Sequence, residues 1–285
     1  MTRFIFVLTS ILFGYIANAQ QLEKSLLWKI SGNGLEKPSY LFGTMHAVCE
    51  INFDDAIKKA LDETSQMYLE IDMDDPTLQA TMMKGMMMKD GITMSSLMTE
   101  DEVKIVDAFL KENVSVSIKM VDRFKPFMIS AMFIPKLLEC PMQTIETELV
   151  KISKEQKEEV YGLETILDQL TVFDKIPYKT QVEELVKTAK DNMVKDKIEM
   201  KKMLDIYDDE DIEAMLEIMD ESENKIASDF NDILLNDRNA NWIPIIEKVS
   251  KEKPTFYGVG AGHLAGEKGV IKLLRKRGYK VEAVK

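Results

Sequence analysis

The chain has 285 residues, 49 of them acidic against 37 Lys and Arg, for a net charge of −12. So acidic a surface is a poor match for a phosphate backbone, which excludes nucleic acid as an expected partner. The length is sufficient for one large core or two intimate ones.

Residues 1–19 read as a secretory signal peptide. Arg3 supplies the positive start, residues 4–16 the apolar stretch, and Ala17-Asn18-Ala19 the small-residue cleavage site. The residue after the cut is Gln20, not Cys, which argues against a lipid anchor. Nothing later in the chain is long and apolar enough to cross a bilayer. Residues 20–285 are therefore expected as a single domain, secreted or periplasmic, without a stable membrane anchor.

Residues 27–31 and 39–42 flank Gly-Asn-Gly-Leu-Glu-Lys-Pro, the pattern of a β-hairpin with a loose turn. Residues 53–64 have the period of an amphipathic helix. Residues 66–72 alternate and then stop at Asp74-Asp75-Pro76, as a strand ending in a turn does. From Pro76 to about Val150 the pattern is helical, punctuated by Pro126, Pro135 and Pro141. Residues 159–162 form a short strand candidate, and 176–251 read as nearly all helix with i, i+4 charge pairs. Residues 255–260, 267–277 and 279–284 close the chain as β-α-β. Sheet-forming segments thus lie at both ends and helices between, over about 76–250. The expected fold class is α/β: a central, mostly mixed sheet built from N- and C-terminal segments, with a large helical middle packed on it.

Only two histidines are present, and they share a frame: Tyr40-Leu-Phe-Gly43-Thr-Met-His46-Ala-Val-Cys-Glu50 and Tyr257-Gly-Val-Gly260-Ala-Gly262-His263-Leu-Ala-Gly-Glu267. In each an apolar run reaches a glycine, and histidine follows three residues later. A strand end delivers an imidazole to the rim of a sheet in this way, with Gly43, Gly260 and Gly262 permitting a turn or a close approach. A lone histidine in such a place is usually structural; the repeated frame favours one site built from both. Carboxylates at other strand ends, Glu70, Asp72 and Glu164, are placed to reach the same rim, and mixed N/O donors suit a divalent metal. Arg238, on an amphipathic helix, is suited either to stabilising developing negative charge or to an ordinary salt bridge.

Cys49 and Cys140 are an even pair, which export favours as a disulfide. The closed loop, about 90 residues, would contribute up to roughly 4 kcal/mol in the chain-entropy model. Two buried thiols, or Cys49 as a thiolate ligand near His46, are the alternatives. Eight methionines between Met73 and Met98 read first as a soft helical core, then as an apolar groove for a peptide, and last as a copper site. Gly260-Ala-Gly262-His-Leu-Ala265 imitates a dinucleotide fingerprint, but no βαβ units follow to complete that fold. Asp208-Asp209-Glu210-Asp211 lacks the glycine and spacing of a calcium loop and reads as a solvated helix start.

Taken together, Leu41-Phe-Gly-Thr-Met-His46, the 68–76 segment, Gly162-Leu-Glu-Thr165, Asp237-Arg-Asn239, the 258–266 segment and the closing 273–281 segment resemble the TraB/GumN family. That family includes the Tiki Wnt-inactivating proteins and bacterial pheromone-shutdown proteins. The resemblance implies an α/β fold of the erythromycin-esterase/ChaN-like kind. It also implies a site using both histidines, a glutamate and an arginine: by position His46, His263, Glu70 and Arg238, with Glu164 beside them. The Tiki branch implies a metal-dependent protease, with manganese or cobalt supporting activity.

The expected function is therefore an exported metal-dependent hydrolase acting on a peptide or protein substrate, apolar ones included. His46, Glu70 and His263 would hold a divalent ion (Mn, Co or Zn), Glu164 would act as general base and Arg238 as oxyanion stabiliser. The alternative is a non-catalytic protein that sequesters a peptide or a haem-like ligand.

Overall fold

The computed structural model describes residues 21–285, so the expected signal peptide lies outside the described residues. Six strands form one sheet: β1 Leu27–Ser31, β2 Ser39–Thr44, β3 Met67–Leu69, β4 Val160–Gly162, β5 Phe256–Gly260 and β6 Lys280–Ala283. Their order is β4-β3-β5-β2-β1-β6. β4, β3, β5 and β2 run parallel, while β1 is antiparallel to both β2 and β6. The sheet is mixed and drawn from both ends of the chain, as the pattern of segments predicts.

The two central strands are apolar and almost wholly buried, as parallel strands covered on both faces are. They carry the two histidine frames and lie side by side. The frames are not in register, however. Tyr40 lies opposite Phe256 and Gly43 opposite Val259, one residue off the alignment of the motifs. Side chains alternate faces along a strand, so equivalent positions of the two motifs point to opposite sides of the sheet.

Elsewhere the elements are shorter than expected. β3 stops at Leu69, because Glu70 turns out of the ladder while its carbonyl still accepts from Glu164 N–H. The stretch 76–150 is broken into short helices. Pro126 and Pro135 sit in first turns, where their missing N–H costs nothing, and Ser115 in a left-handed conformation ends Glu100–Val114. The last helix spans only Val270–Lys276, since Gly266 adopts a φ of +81° before it. Asp211 caps the helix Ile212–Glu221 through Ala214 N–H, as expected of the acidic run.

Two apolar clusters hold the molecule. The larger surrounds the sheet, with Trp28, Trp242, Phe256 and Tyr257 fully buried. The smaller joins the helices Glu100–Val114, Ile118–Val121, Pro126–Ala131 and Tyr178–Asp191 through Phe109, Leu110, Ile129 and Leu185. Met88 and Met94 belong to it, whereas Met83 and Met87 are exposed, so the methionine-rich segment is only partly the core expected of it. Buried Lys125 is anchored by Asp174 (2.8 Å) and by the Leu170 carbonyl (2.8 Å). Cys49 and Cys140 are joined in a disulfide, which removes the thiolate-ligand alternative. Among the described residues no helix is long and apolar enough to cross a membrane.

Candidate functional site

The carboxyl ends of the four parallel strands share one edge, where open α/β sheets place their ligands. β3 delivers Glu70, β4 delivers Glu164, and β5 delivers His263 through the short 3-10 turn Ala261–His263. The fourth member comes from the helical middle. A π-helical turn, Asp232–Asn236, runs directly into the helix Asp237–Glu252. Such widened turns re-aim the residues that follow, and Arg238 follows immediately.

Arg238 ties the group together. Its Nη2 lies 2.5 Å from Glu70 Oε2 and 2.5 Å from Glu164 Oε1, and its Nε donates to Glu164 Oε1 at 2.9 Å. Its Nη1 donates to the Leu234 carbonyl and meets His263 Nε2, both at 3.0 Å. The Arg238 guanidinium and the His263 ring lie against Trp242, at 4.9 and 4.5 Å. Trp242 Nε1 donates to the second oxygen of Glu164. Glu70 Oε1 accepts from Gly260 N–H at 2.8 Å, and Oε2 from Gln169 at 2.8 Å.

The tautomer of His263 follows from its neighbour. Asn239 Nδ2 donates to the carbonyls of His263 and Lys268. Its Oδ1 therefore faces His263 Nδ1, 2.6 Å away, and that nitrogen must carry the hydrogen. Nε2 is left with its lone pair directed at the charged cluster. Burial lowers the His263 pKa to about 3, so the ring is neutral. Burial alone would raise the Glu70 pKa, but surrounding positive charge and the Gly260 N–H hold it below the usual carboxylate range. With His263 neutral, Arg238 is the cation chiefly responsible. Burial pushes Glu164 upward, against the pull of Arg238.

His46 stands apart. Its Nδ1 lies 2.7 Å from Glu146 Oε1, which also accepts from Thr44 at 2.6 Å. The hydrogen bond and charge of Glu146 favour the protonated ring and raise its pKa. Solvent moderates the effect, because the His46 side chain is 67% exposed against 4% for His263. The off-register pairing of β2 and β5, and the 3-10 turn that only β5 has, account for the difference. His46 and Glu70 face each other across a recess of about 150 Å³. A larger cavity of about 750 Å³, lined by Val48, Leu138 and Lys201 among others, contains none of these charged site residues.

Among the described residues no three His, Cys, Asp or Glu side chains converge closely enough to hold a metal ion. The structure thus brings Glu70, Glu164, Arg238 and His263 together and leaves His46 across the recess. The expected glycines act through close approach, none having a left-handed φ. A Cβ on Gly43 would meet Leu264 and Ala261 at 2.9 and 3.1 Å, and one on Gly260 would press on Glu70 Oε1 at 3.2 Å. Gly262 faces the flexible Met219 thioether, a softer constraint.

Four further residues belong to the site: Glu146, Gln169, Asn239 and Trp242. Asn239 had a sequence signal in Asp-Arg-Asn, directly after Arg238. Asn239→Leu should cost about 1–3 kcal/mol in thermal unfolding, because His263 Nδ1–H and two carbonyls lose their partner in a buried place. Asn239→Asp should retain the bond to His263 and recover part of that loss. An unfolding midpoint unchanged in Asn239→Leu would remove the orienting role.

A mixed α/β sheet with a buried ionic cluster at its parallel carboxyl edge defines the class of protein. The chain belongs to the TraB/PrgY/gumN family, whose family model matches residues 26–283. No curated protein and no solved structure gives a significant match.

Proposed function

We propose that the chain is an exported hydrolase that cleaves peptide bonds with the help of a divalent metal ion, manganese, cobalt or zinc. The observation that carries this reading is the His263 Nε2 lone pair, fixed by Asn239 and 3.6 Å from Glu70 Oε1 in a buried cluster. Two bonds of about 2.1 Å to one ion span such a separation. Both histidines have Nδ1 engaged by an oxygen, from Asn239 and from Glu146, the arrangement that fixes ligating imidazoles. Glu70 and His263 would hold the ion; His46, the expected third donor, stands apart from them across the recess. Export is supported by the signal-like residues 1–19.

A bound cation would supply polarisation of the scissile carbonyl and a more acidic water. Glu164, its pKa raised by burial, is suited to take a proton from an attacking water. Trp242 and Arg238 orient its two oxygens. All five Arg238 N–H groups are engaged, by Glu70, Glu164, the Leu234 carbonyl and His263, so the donor it would offer to negative charge developing on the carbonyl oxygen is the Nη1–H that now meets His263, once that bond is given up.

The test is incubation of the mature protein with a peptide library and each metal, read by mass spectrometry. Cleavage with at least one metal, lost on chelation, is the expected result. His46→Ala and His263→Ala should each cost nearly as much as the double variant, since a site acting as a unit is strongly non-additive. Full metal affinity in either single variant would end the shared site. No cleavage with any metal while the fold is intact would refute the hydrolase, and a peptide bound but left whole would make the chain a sequestering protein.

A further inference from the structure

The recess between His46 and Glu70 has a chemistry of its own. Leu69, Ile71 and Met73 give it an apolar lining, and the last two are only partly buried. Its two carboxylates already have partners, Glu70 in Arg238, Gln169 and the Gly260 N–H, and Glu146 in Thr44 and the His46 ring. A basic side chain therefore gains little there, and an acidic one meets two like charges. The volume, about 150 Å³, is that of a cavity able to take a benzene-sized group. A Leu, Met or Phe side chain fits this description. Glu146 Oε2 is buried without a hydrogen-bond partner, and an amide N–H arriving with the side chain would supply one.

We propose that this recess is a specificity pocket for one apolar side chain, of Leu, Met or Phe size, on a peptide ligand. On the hydrolase reading, on which this clause alone rests, that residue lies beside the bond to be cleaved. Met73 and Ile71 set the preference, and Glu70 and Glu146 exclude acidic residues.

The experiment uses intact mature protein carrying methyl-labelled methionine, observed by NMR, with the Met73 signal assigned through Met73→Leu. Blocked amino acids are titrated: N-acetyl-leucinamide, N-acetyl-alaninamide and N-acetyl-lysinamide. Leucinamide should shift the Met73 signal saturably and bind about tenfold more tightly than alaninamide, the least that a difference of this size makes in an apolar pocket. Lysinamide should bind no better than alaninamide. Met73→Trp and Ile71→Trp each fill the recess and should abolish the leucine preference, with thermal unfolding reporting that the fold is kept. If one variant unfolds, the other and the wild-type titration decide. No Met73 response, equal affinities, a lysine preference, or a leucine preference surviving in a folded filled variant would overturn the pocket. Turnover is not needed, so a protein that prefers leucinamide and cleaves nothing keeps the pocket and loses the hydrolase. One that cleaves without side-chain preference does the reverse.

Discussion

Replacing Arg238 by alanine should lower the stability of the folded chain by about 3–5 kcal/mol, the usual cost of removing one partner from a buried ion pair. The guanidinium is 13% exposed, and its partners Glu70 and Glu164 are 9% and 10% exposed. Without it two carboxylates are left together, desolvated and uncompensated. Arg238→Lys should recover little, because one ammonium cannot serve Glu70, Glu164, His263 and the Leu234 carbonyl from a single point. Glu164→Gln in the alanine background should restore part of the loss, since it removes one of the stranded charges. Manganese, cobalt or zinc should raise the melting temperature of Arg238→Ala more than that of the wild type. Arg238 Nη1 already occupies the His263 lone pair, so the guanidinium and a metal ion are alternatives there, and an ion that binds only the native state stabilises it. Denaturant unfolding of the four proteins, with and without metal, is the measurement. A loss below about 1 kcal/mol in Arg238→Ala, the range of an exposed pair, would refute the buried network.

Loss of the disulfide is expected to cost about 4 kcal/mol, because it closes a long loop in the unfolded chain. Its ends are 91 residues apart. The bridge also has a local effect. Val48 and Gln143 exchange backbone hydrogen bonds of 3.0 and 2.8 Å, and His46 meets Glu146 just beyond them. Cys49 and Cys140 fasten the other end of this short seam. Reduction, or the double Cys→Ser variant, should lower the melting temperature and loosen His46 while leaving the His263 cluster in place. Mass mapping of unreduced protein checks the pairing, and paired melts with and without reductant check the energy. Equal melting temperatures would refute the contribution.

The sheet was legible because its strands alternate or run apolar between Gly, Pro and Asp signals, and because the histidine frames single out β2 and β5. Glu70, Glu164, Arg238 and His263 were legible as polar residues at the ends of apolar runs or on an apolar helix face. Glu146 was not. It stands in Ile145-Glu-Thr-Glu148, where nothing in the sequence separates it from its only partly buried neighbour two residues later, and only the fold brings it to His46. The unlike surroundings of the two histidines were also hidden. A motif repeat records residue types, whereas burial is set by strand register and by the turn that follows. The π-helical turn before Arg238 leaves no periodic signature of its own, and the breaks in 76–150 depend on caps whose partners are distant.

The order of strands has a consequence for how the chain must be made. β2 ends at Thr44, and the strand beside it in the sheet, β5, begins only at Phe256. Until that strand has emerged, β2 and β3 have an open gap between them, and sheets dominated by such distant pairings form late. The smaller apolar cluster draws its buried residues from between Met88 and Met193, so it is available earlier as the chain grows. An emerging chain would then consist of a helical unit flanked by unpaired edges, the state most exposed to aggregation. The same delay keeps His263 and the Gly260 N–H away from Glu70 until about 190 further residues have been made. The cluster of Glu70, Glu164, Arg238 and His263 is therefore absent from any nascent chain that stops short of His263.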